Sequence, residues 1–310
     1  MTERDPVSVL LPTMEWNTAC EQLAAQLKPD DELLVVCDSE RDPVAGHDPP
    51  EGVRILVAGE PEGCSGKANA LAHGMRRARH DRFVWTDDDF ERDPDWLDRL
   101  VAAGERHGPA TAIPFFGGGG WWRPFEPWCG ALFAVLCYLQ FGGVADTAWG
   151  GGVTFTRSEL TVPVPAFVAE LRTVLSDDYL LTERLPEVHA VRGLVMRVAV
   201  PGTHRAVYHR LVRFGRIVGV NSGWWPWLKL SSLLLVGGFL SPLGTVVSLV
   251  VGFGVVYAWL GLGRANFLFS PAGVLLLPLL TVTAMVADTF EWGGRRYRFP
   301  ESGAVEVLDG

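Results

Sequence analysis

The chain has 310 residues, room for one or two domains, with 48% hydrophobic residues and a formal net charge of −9. That acidic balance excludes a general nucleic-acid binder, which presents a basic footprint. Cys20, Cys37, Cys64, Cys129 and Cys137 form no CxxC pair and no cluster with histidine at zinc spacing, so a reduced compartment fits.

The amino terminus shows no charged start followed by an apolar core and a cleavage site, so the soluble part is expected to stay in the cytoplasm. Apolar runs at 7–11, 33–37, 53–57 and 83–86 predict strands, and 18–27, 67–79 and 94–107 predict helices. Strands alternating with helices imply a parallel sheet with helical crossovers, whose ligands bind at the carboxyl ends of the strands. Pro12 and the segments 42–50 and 63–66 punctuate those ends.

Three groups of polar residues fall at such places. Asp38 ends the second strand, and Asp87, Asp88 and Asp89 end the fourth, so both positions open on one sheet edge. Carboxylates there suit a divalent ion carrying a diphosphate, which points to sugar-nucleotide chemistry. Taken singly, Asp38 also reads as a loop aspartate and the triplet as an acidic turn before the helix near Asp93. Residues 63–69 form a small-residue loop opening a helix, where backbone amides and Lys67 suit phosphate or base contacts, or simply start the helix. It is no Walker A loop, because Pro61 and Ala68 stand where glycine and Ser/Thr are required.

Gly117 to Gly120 predict a flexible loop beside Trp121 and Trp122, a candidate lid or membrane contact. Ser176-Asp177-Asp178 reads either as a helix N-cap or as the source of a general base. Arg210, Arg213 and Arg216, at a spacing of three, suit phosphate oxygens and equally suit the positive side of a membrane boundary. Residues 230–263 and 265–287 carry no Asp, Glu, Lys or Arg, and a bilayer-spanning helix needs roughly 20 such residues. The carboxyl third is therefore expected to be membrane-embedded, with the break at Ser241-Pro242 allowing either one long tilted span or a hairpin.

In this order and with these gaps, the pieces resemble lipid-directed family 2 glycosyltransferases, most closely the ceramide glucosyltransferase group. The likeness rests on Asp38, on Asp87 with Asp89, on the pair Asp177-Asp178, and on Arg210-Leu211-Val212-Arg213-Phe214, which is similar to a (Q/R)xxRW motif with phenylalanine replacing tryptophan. Trp292-Gly293-Gly294-Arg295-Arg296-Tyr297-Arg298 resembles the tail that follows the last membrane helix in that group, and Gly66-Lys67-Ala68-Asn69 its PKxNN-type loop.

The resemblance implies an α/β GT-A (nucleotide-diphospho-sugar transferase) fold, a mixed, mainly parallel sheet with flanking helices, plus C-terminal transmembrane helices. It divides the chain into a cytosolic transferase domain at 1–222, two to three membrane helices at 223–290 and a cytosolic tail at 291–310, with 127–145 as a candidate interfacial segment. It implies inverting transfer of a hexose, glucose in the closest group, from a UDP-sugar to the hydroxyl of a membrane lipid, on a cell-membrane protein whose catalytic domain faces the cytoplasm. In the roles so implied, Asp178 is the base, Asp177 orients acceptor or base, and Arg210 and Arg213 grip the diphosphate. Asp87 and Asp89 hold Mg²⁺ or Mn²⁺; Asp38, Lys67, Asn69, Asp87, Asp88 and Phe214 bind the nucleotide sugar; and Trp149, Gly150, Gly151 and Gly152 line the acceptor side. No nucleic-acid or protein partner is evident. A polyprenyl-phosphate glycosyltransferase and a non-catalytic membrane scaffold with a degenerate transferase domain are the alternatives.

Overall fold

The computed structural model describes residues 4–138, 144–145, 147–298 and 305–309. Its amino-terminal part runs β1 (Val7–Pro12), α1 (Thr18–Ala24), β2 (Glu32–Cys37), β3 (Val53–Val57), α2 (Gly66–Arg77), β4 (Arg82–Thr86), α3 (Trp96–His107) and β5 (Ala110–Gly118). A π-helical stretch, Glu126–Leu132, leads into α4 (Phe133–Tyr138), then β6 (Val144–Ala145), β7 (Gly152–Thr156), α5 (Val164–Leu171), α6 (Asp177–Arg184) and β8 (Val188–Val200). The remainder is mostly helical: α7 (His204–Ser222), α8 (Trp225–Leu240), α9 (Pro242–Trp259) and α10 (Gly273–Val286), followed by β9 (Thr289–Trp292), β10 (Arg295–Arg298) and β11 (Glu306–Asp309).

The large sheet has the order β3-β2-β1-β4-β7-β5-β8-β6. Its β3-β2-β1-β4 half is parallel, as the alternation of strands and helices predicts. At β7 the direction reverses: Thr86, the last residue of β4, lies opposite Gly152, the first of β7. That antiparallel pairing sets the glycine run 150–152 against the carboxyl end of β4, where the aspartates begin. One face of the sheet packs Leu10, Val36, Trp85 and Phe155 against Leu71 and Met75 of α2, Phe167 and Leu171 of α5, and Leu180 and Leu181 of α6. The approach of α2 is close; a Cβ on Gly74 would stand 2.9 Å from Leu10 Cδ2. Burying these side chains orients the first turns of α2 and α6, which carry Lys67 and the pair Asp177-Asp178.

The chain divides into two compact units, one comprising Met1–Pro114, Cys137–Met196 and Ala304–Val307, the other Phe115–Leu136, Arg197–Gly303 and Leu308–Gly310. In the second unit, α9 and the 21-residue helical stretch Asn266–Val286, which ends in α10, are each long and apolar enough to cross a membrane. α8 is apolar but shorter, 16 residues. Ser241, at φ −146° and ψ 75°, separates α8 from α9, so residues 230–260 are two helices and not one long span.

The glycine run 117–120 is not a loop throughout, because Gly117 and Gly118 belong to β5 and Gly120 opens a 3₁₀ turn. Close packing explains the residue type: a Cβ on Gly118 would stand 2.6 Å from the Val200 carbonyl oxygen, and one on Gly117 2.7 Å from an Arg264 guanidinium nitrogen. Trp121 is exposed, whereas Trp122 is buried and donates its indole N–H to the Phe116 carbonyl at 2.9 Å. Within the expected interfacial segment, Trp128 is buried against Phe253 and Leu277 and donates to the Ser270 carbonyl at 3.0 Å; Phe141 lies outside the described residues.

Candidate active site

Lys67 is the centre of the first unit's polar site. Ser65 caps α2 by accepting the Ala68 N–H, which puts Lys67 in the first turn, and its ammonium lies 2.7 Å from Asp87 Oδ1 and 2.9 Å from Asp177 Oδ2. Asp178 Oδ1 is 4.0 Å away. Ser176 is the N-cap of α6, accepting the Tyr179 N–H, as the capping reading of Ser176-Asp177-Asp178 expects. The serine starts the helix while the two carboxylates turn to Lys67. Asp178 Oδ1 also accepts the Gly150 N–H at 2.6 Å.

The glycines of 149–152 make this convergence possible. A Cβ on Gly150 would collide with Asp177 Oδ2 and stand 2.8 Å from Asp178 Oδ1, and one on Gly151 would stand 2.5 Å from Asp87 Oδ2. At Gly150 carboxylates occupy the space of a side chain, at Gly151 the Trp149 indole and Asp87 do, and a Cβ on Gly152 would stand 3.0 Å from that of Ala112. Trp149, buried, packs on Phe90 at 5.3 Å between ring centroids.

Crowding sets the protonation of the cluster. Burial raises the Asp178 carboxyl to about 7, with the neighbouring Asp177 charge acting in the same direction and Lys67 opposing. One third of the Asp178 side chain remains exposed. Burial likewise raises Asp177, against the pull of Lys67. For Lys67, burial alone would lower the ammonium, but Asp177, Asp87 and Asp178 raise it well above its usual value, so it stays charged.

The aspartate triplet separates into different environments. Asp87 lies at the Lys67 cluster, its backbone N–H bonded to the Gly151 carbonyl at 3.3 Å. Asp88 turns the other way and accepts from the Thr13 hydroxyl at 2.6 Å and the Asn17 amide at 3.1 Å, tying the triplet to the end of β1. Asp89 is exposed. Beneath them lies Arg92, which sequence reasoning missed. It is 5% exposed, stacks over Phe90 at 4.0 Å, and donates to Thr86 Oγ1 at 2.6 Å and to the carbonyls of Phe90 and Asp87. Burial lowers its guanidinium to about 10 despite the triplet's opposing charge. An arginine three residues past an acidic run reads as surface charge; only the fold shows it holding the loop from below.

Asp38 is buried at the end of β2, with its backbone N–H given to Asp42. Asn69 is buried too, and its amide donates to the Gly59 carbonyl at 2.7 Å, so the structure gives it a loop-anchoring contact. Among the described residues no three His, Cys, Asp or Glu side chains group around a point that could hold a metal ion. The donors at Asp87 and Asp89 are nevertheless of the type that fits Mg²⁺ or Mn²⁺, which is held by one or two carboxylates plus substrate phosphates. Asp87 Oδ1 is taken up by the Lys67 ammonium.

The arginine motif lies in the second unit. Phe214 packs edge-on to Phe116 at 5.1 Å, and the guanidinium groups of Arg210 and Arg213 lie over its ring at 5.8 and 5.4 Å, so it serves as a platform for the arginines. Arg213 also stacks on Trp292 at 4.2 Å. Both arginines line a cavity of about 750 Å³ between α7 and the β9–β10 hairpin.

Residues 17–138 match the family described as Glycosyl transferase family 2. That span contains Asp38, Lys67 and the triplet, but not Asp177 or Asp178. No curated protein matches the chain. Among solved structures, glucosyl-3-phosphoglycerate synthase from Mycobacterium tuberculosis, in complex with Mn²⁺, UDP-glucose and phosphoglyceric acid, is 19% identical, with 55% of this chain and 68% of that one covered and a TM-score of 0.36. The same enzyme with Mn²⁺ and UDP-glucose is 18% identical over 69% of this chain and 78% of that one, with a TM-score of 0.41. A mycobacterial protein is 18% identical over 68% and 75%, with a TM-score of 0.34.

Proposed function

We propose that this protein is an inverting glycosyltransferase that moves a hexose from a nucleotide-diphospho-sugar, UDP-glucose in the first instance, to the hydroxyl of a membrane lipid. The observation that carries it is the meeting of Asp87, Asp177 and Asp178 around Lys67, the first from the family-matched region and the pair from beyond it.

In this reading Asp178 takes the proton of the acceptor hydroxyl, whose oxygen attacks the anomeric carbon as the bond from that carbon to the diphosphate oxygen breaks. The nucleoside diphosphate departs with the bonding pair. Gly150 N–H holds one Asp178 oxygen in place, and the raised proton affinity of this carboxyl matches a base working near neutral pH. Asp177 and Lys67 orient it. Asp87 and Asp89 would hold Mg²⁺ or Mn²⁺, which when bound neutralises charge developing on the leaving diphosphate. Asp38 is assigned to the nucleotide, Trp149 and the glycines 150–152 to the acceptor side, and Arg210 and Arg213 to phosphate.

The membrane part of the proposal is supported by exposure. Only 11% of α9 and 28% of the best apolar window in 266–286 are buried, and Phe239, Leu243, Leu275 and Val286 are each more than 70% exposed. A helix of a water-soluble core buries such side chains, whereas a bilayer covers them. A polyprenyl-phosphate acceptor remains the second reading. Membranes carrying the protein, incubated with radiolabelled UDP-sugars, should yield a labelled lipid identified by mass spectrometry as a glycoside of a hydroxyl. Label on a lipid phosphate would select the second reading, and no labelled lipid and no donor hydrolysis with either metal would end both.

A further inference from the structure

The turn that anchors Asp178 is held at four consecutive residues by side chains from three elements. The Ala148 N–H donates to Thr182 Oγ1 of α6 at 2.9 Å, and the Trp149 N–H to Thr111 Oγ1 of β5 at 3.0 Å. The Gly150 N–H goes to Asp178 of α6. The Gly151 carbonyl accepts from Thr86 Oγ1 of β4 at 3.1 Å, and from the Asp87 N–H as well. Thr86 and Thr111 are fully buried, so their hydroxyls stand in for water that this backbone cannot reach.

Behind the Thr86 hydroxyl stands Arg92, whose Nη2 donates to Oγ1 at 2.6 Å. A guanidinium has donors and no acceptor, so the threonine oxygen receives from it and must send its own proton elsewhere. Of two carbonyls within reach, that of Gly151 at 3.1 Å is nearer than that of Asp87 at 3.4 Å. The order is therefore Arg92 to Thr86 to Gly151, and a charged donor strengthens the next bond of such a chain. The same guanidinium donates to the carbonyls of Phe90 and Asp87, so it grips the acidic loop and the turn together. Packing alone does not explain an arginine here: it is 5% exposed, and its Nε has no hydrogen-bond partner among the described residues, which costs stability.

We infer that Arg92 and Thr86 are positioning residues for the transfer reaction, a role that rests on the glycosyltransferase reading. Through the Thr86 hydroxyl, the guanidinium ties the Gly151 carbonyl to the Asp87 loop and thereby keeps the Gly150 N–H, one residue earlier, on the Asp178 carboxylate. Neither residue exchanges a proton with substrate; both act on the base through the backbone of the turn.

Hydrogen exchange of the full-length protein, read by mass spectrometry over the turn and over β1 and β2, tests the contact without substrate. Thr86→Val removes the hydroxyl at nearly constant size, Thr86→Ser keeps it, and Arg92→Met removes the donors. In the valine and methionine variants the amides of the turn should exchange at least about tenfold faster than in the wild type, with β1 and β2 unchanged, and the serine variant should stay within about threefold of the wild type. A turn equally protected in all variants overturns the inference, as does an equal rise in β1 and β2, which would make both residues general supports of the fold. Steady-state rates give the second arm: Thr86→Val should lower kcat about 30-fold and leave UDP affinity in Mn²⁺ within about threefold, and Thr86→Ser should restore kcat. Equal losses in the valine and serine variants also overturn it. A wild type that neither transfers nor hydrolyses donor ends the transferase reading and this role with it, whereas an active wild type matched by its valine variant ends this inference alone.

Discussion

The Lys67 ammonium bridges Asp87 Oδ1 and Asp177 Oδ2 at 2.7 and 2.9 Å, joining the end of the fourth strand to the start of a helix ninety residues later. One cation thereby holds the carboxylate assigned to metal and the pair assigned to proton transfer in a single arrangement. Replacing Lys67 by methionine should leave three crowded carboxylates without their counter-charge. The expected result is a loss of turnover of about 100-fold or more and a stability loss of about 3 kcal/mol. Arginine should rescue neither, because a Cβ on Gly150 would already stand 3.2 Å from the ammonium and a guanidinium is larger. Steady-state rates and thermal unfolding check this, and full activity in the methionine variant would remove Lys67 from the site.

Gly150→Ala should be as damaging as a change of a reacting residue. The added methyl group collides with Asp177 Oδ2 and crowds Asp178, so the carboxylates must part. A cost of about 1–3 kcal/mol and a rate loss well beyond that predicted from stability are expected. Gly119→Ala is the control: nothing lies within 4 Å of its Cβ, and its stability should change by no more than about 0.5 kcal/mol. Equal behaviour of the two variants would refute the crowding argument.

Asp178→Asn should reduce turnover by about a thousandfold while leaving UDP affinity within a few fold, since it removes a proton acceptor but keeps the shape. The pH profile gives a second check. Because the carboxyl is raised to about 7, it is protonated below that pH and available as a base above it, so kcat/KM should climb with pH and level off above about 7. The Asp177 charge contributes to that rise; Asp177→Asn, in whatever activity it retains, should move the limb toward lower pH. A profile flat from pH 5 to 8 would assign the proton to another group.

Asp89→Ala should weaken UDP binding in the presence of Mn²⁺ and leave metal-free binding unchanged, as read by calorimetry with and without chelator. Unaltered Mn²⁺-dependent binding would contradict the assignment of this carboxylate to a cation.

Glu126 is fully buried in the second unit, where it accepts from the Tyr257 hydroxyl at 3.0 Å and the Gly118 N–H at 2.8 Å and pairs with Arg264 at 3.2 Å. Glu126→Ala leaves a buried hydroxyl and amide without their acceptor, a loss of about 2–3 kcal/mol that a lower unfolding midpoint in detergent would register. An unshifted midpoint would show that the contact contributes nothing.

Local patterning was enough to place β1 to β4 and α1 to α3, since a strand buried on both faces reads as a continuous apolar run and a helix shows its periodicity within a dozen residues. Length without charge likewise sufficed to mark the apolar helices. Aspartates at strand ends and the Ser-Asp-Asp helix start were visible for the same reason: each is a short motif with a local cause. Which of them meet was not. The direction of β7, which sets glycines 150–152 against Asp87, depends on pairing between strands about seventy residues apart. Asp88 leaving the cluster for Thr13, Arg92 turning under the triplet, and Arg295 and Arg296 closing a cavity with α7 are decided by contacts that no window of sequence contains. Chemistry-bearing residues were legible one by one because side-chain type is local; their grouping belongs to the tertiary structure, because distance in space is set by the packing of the whole chain.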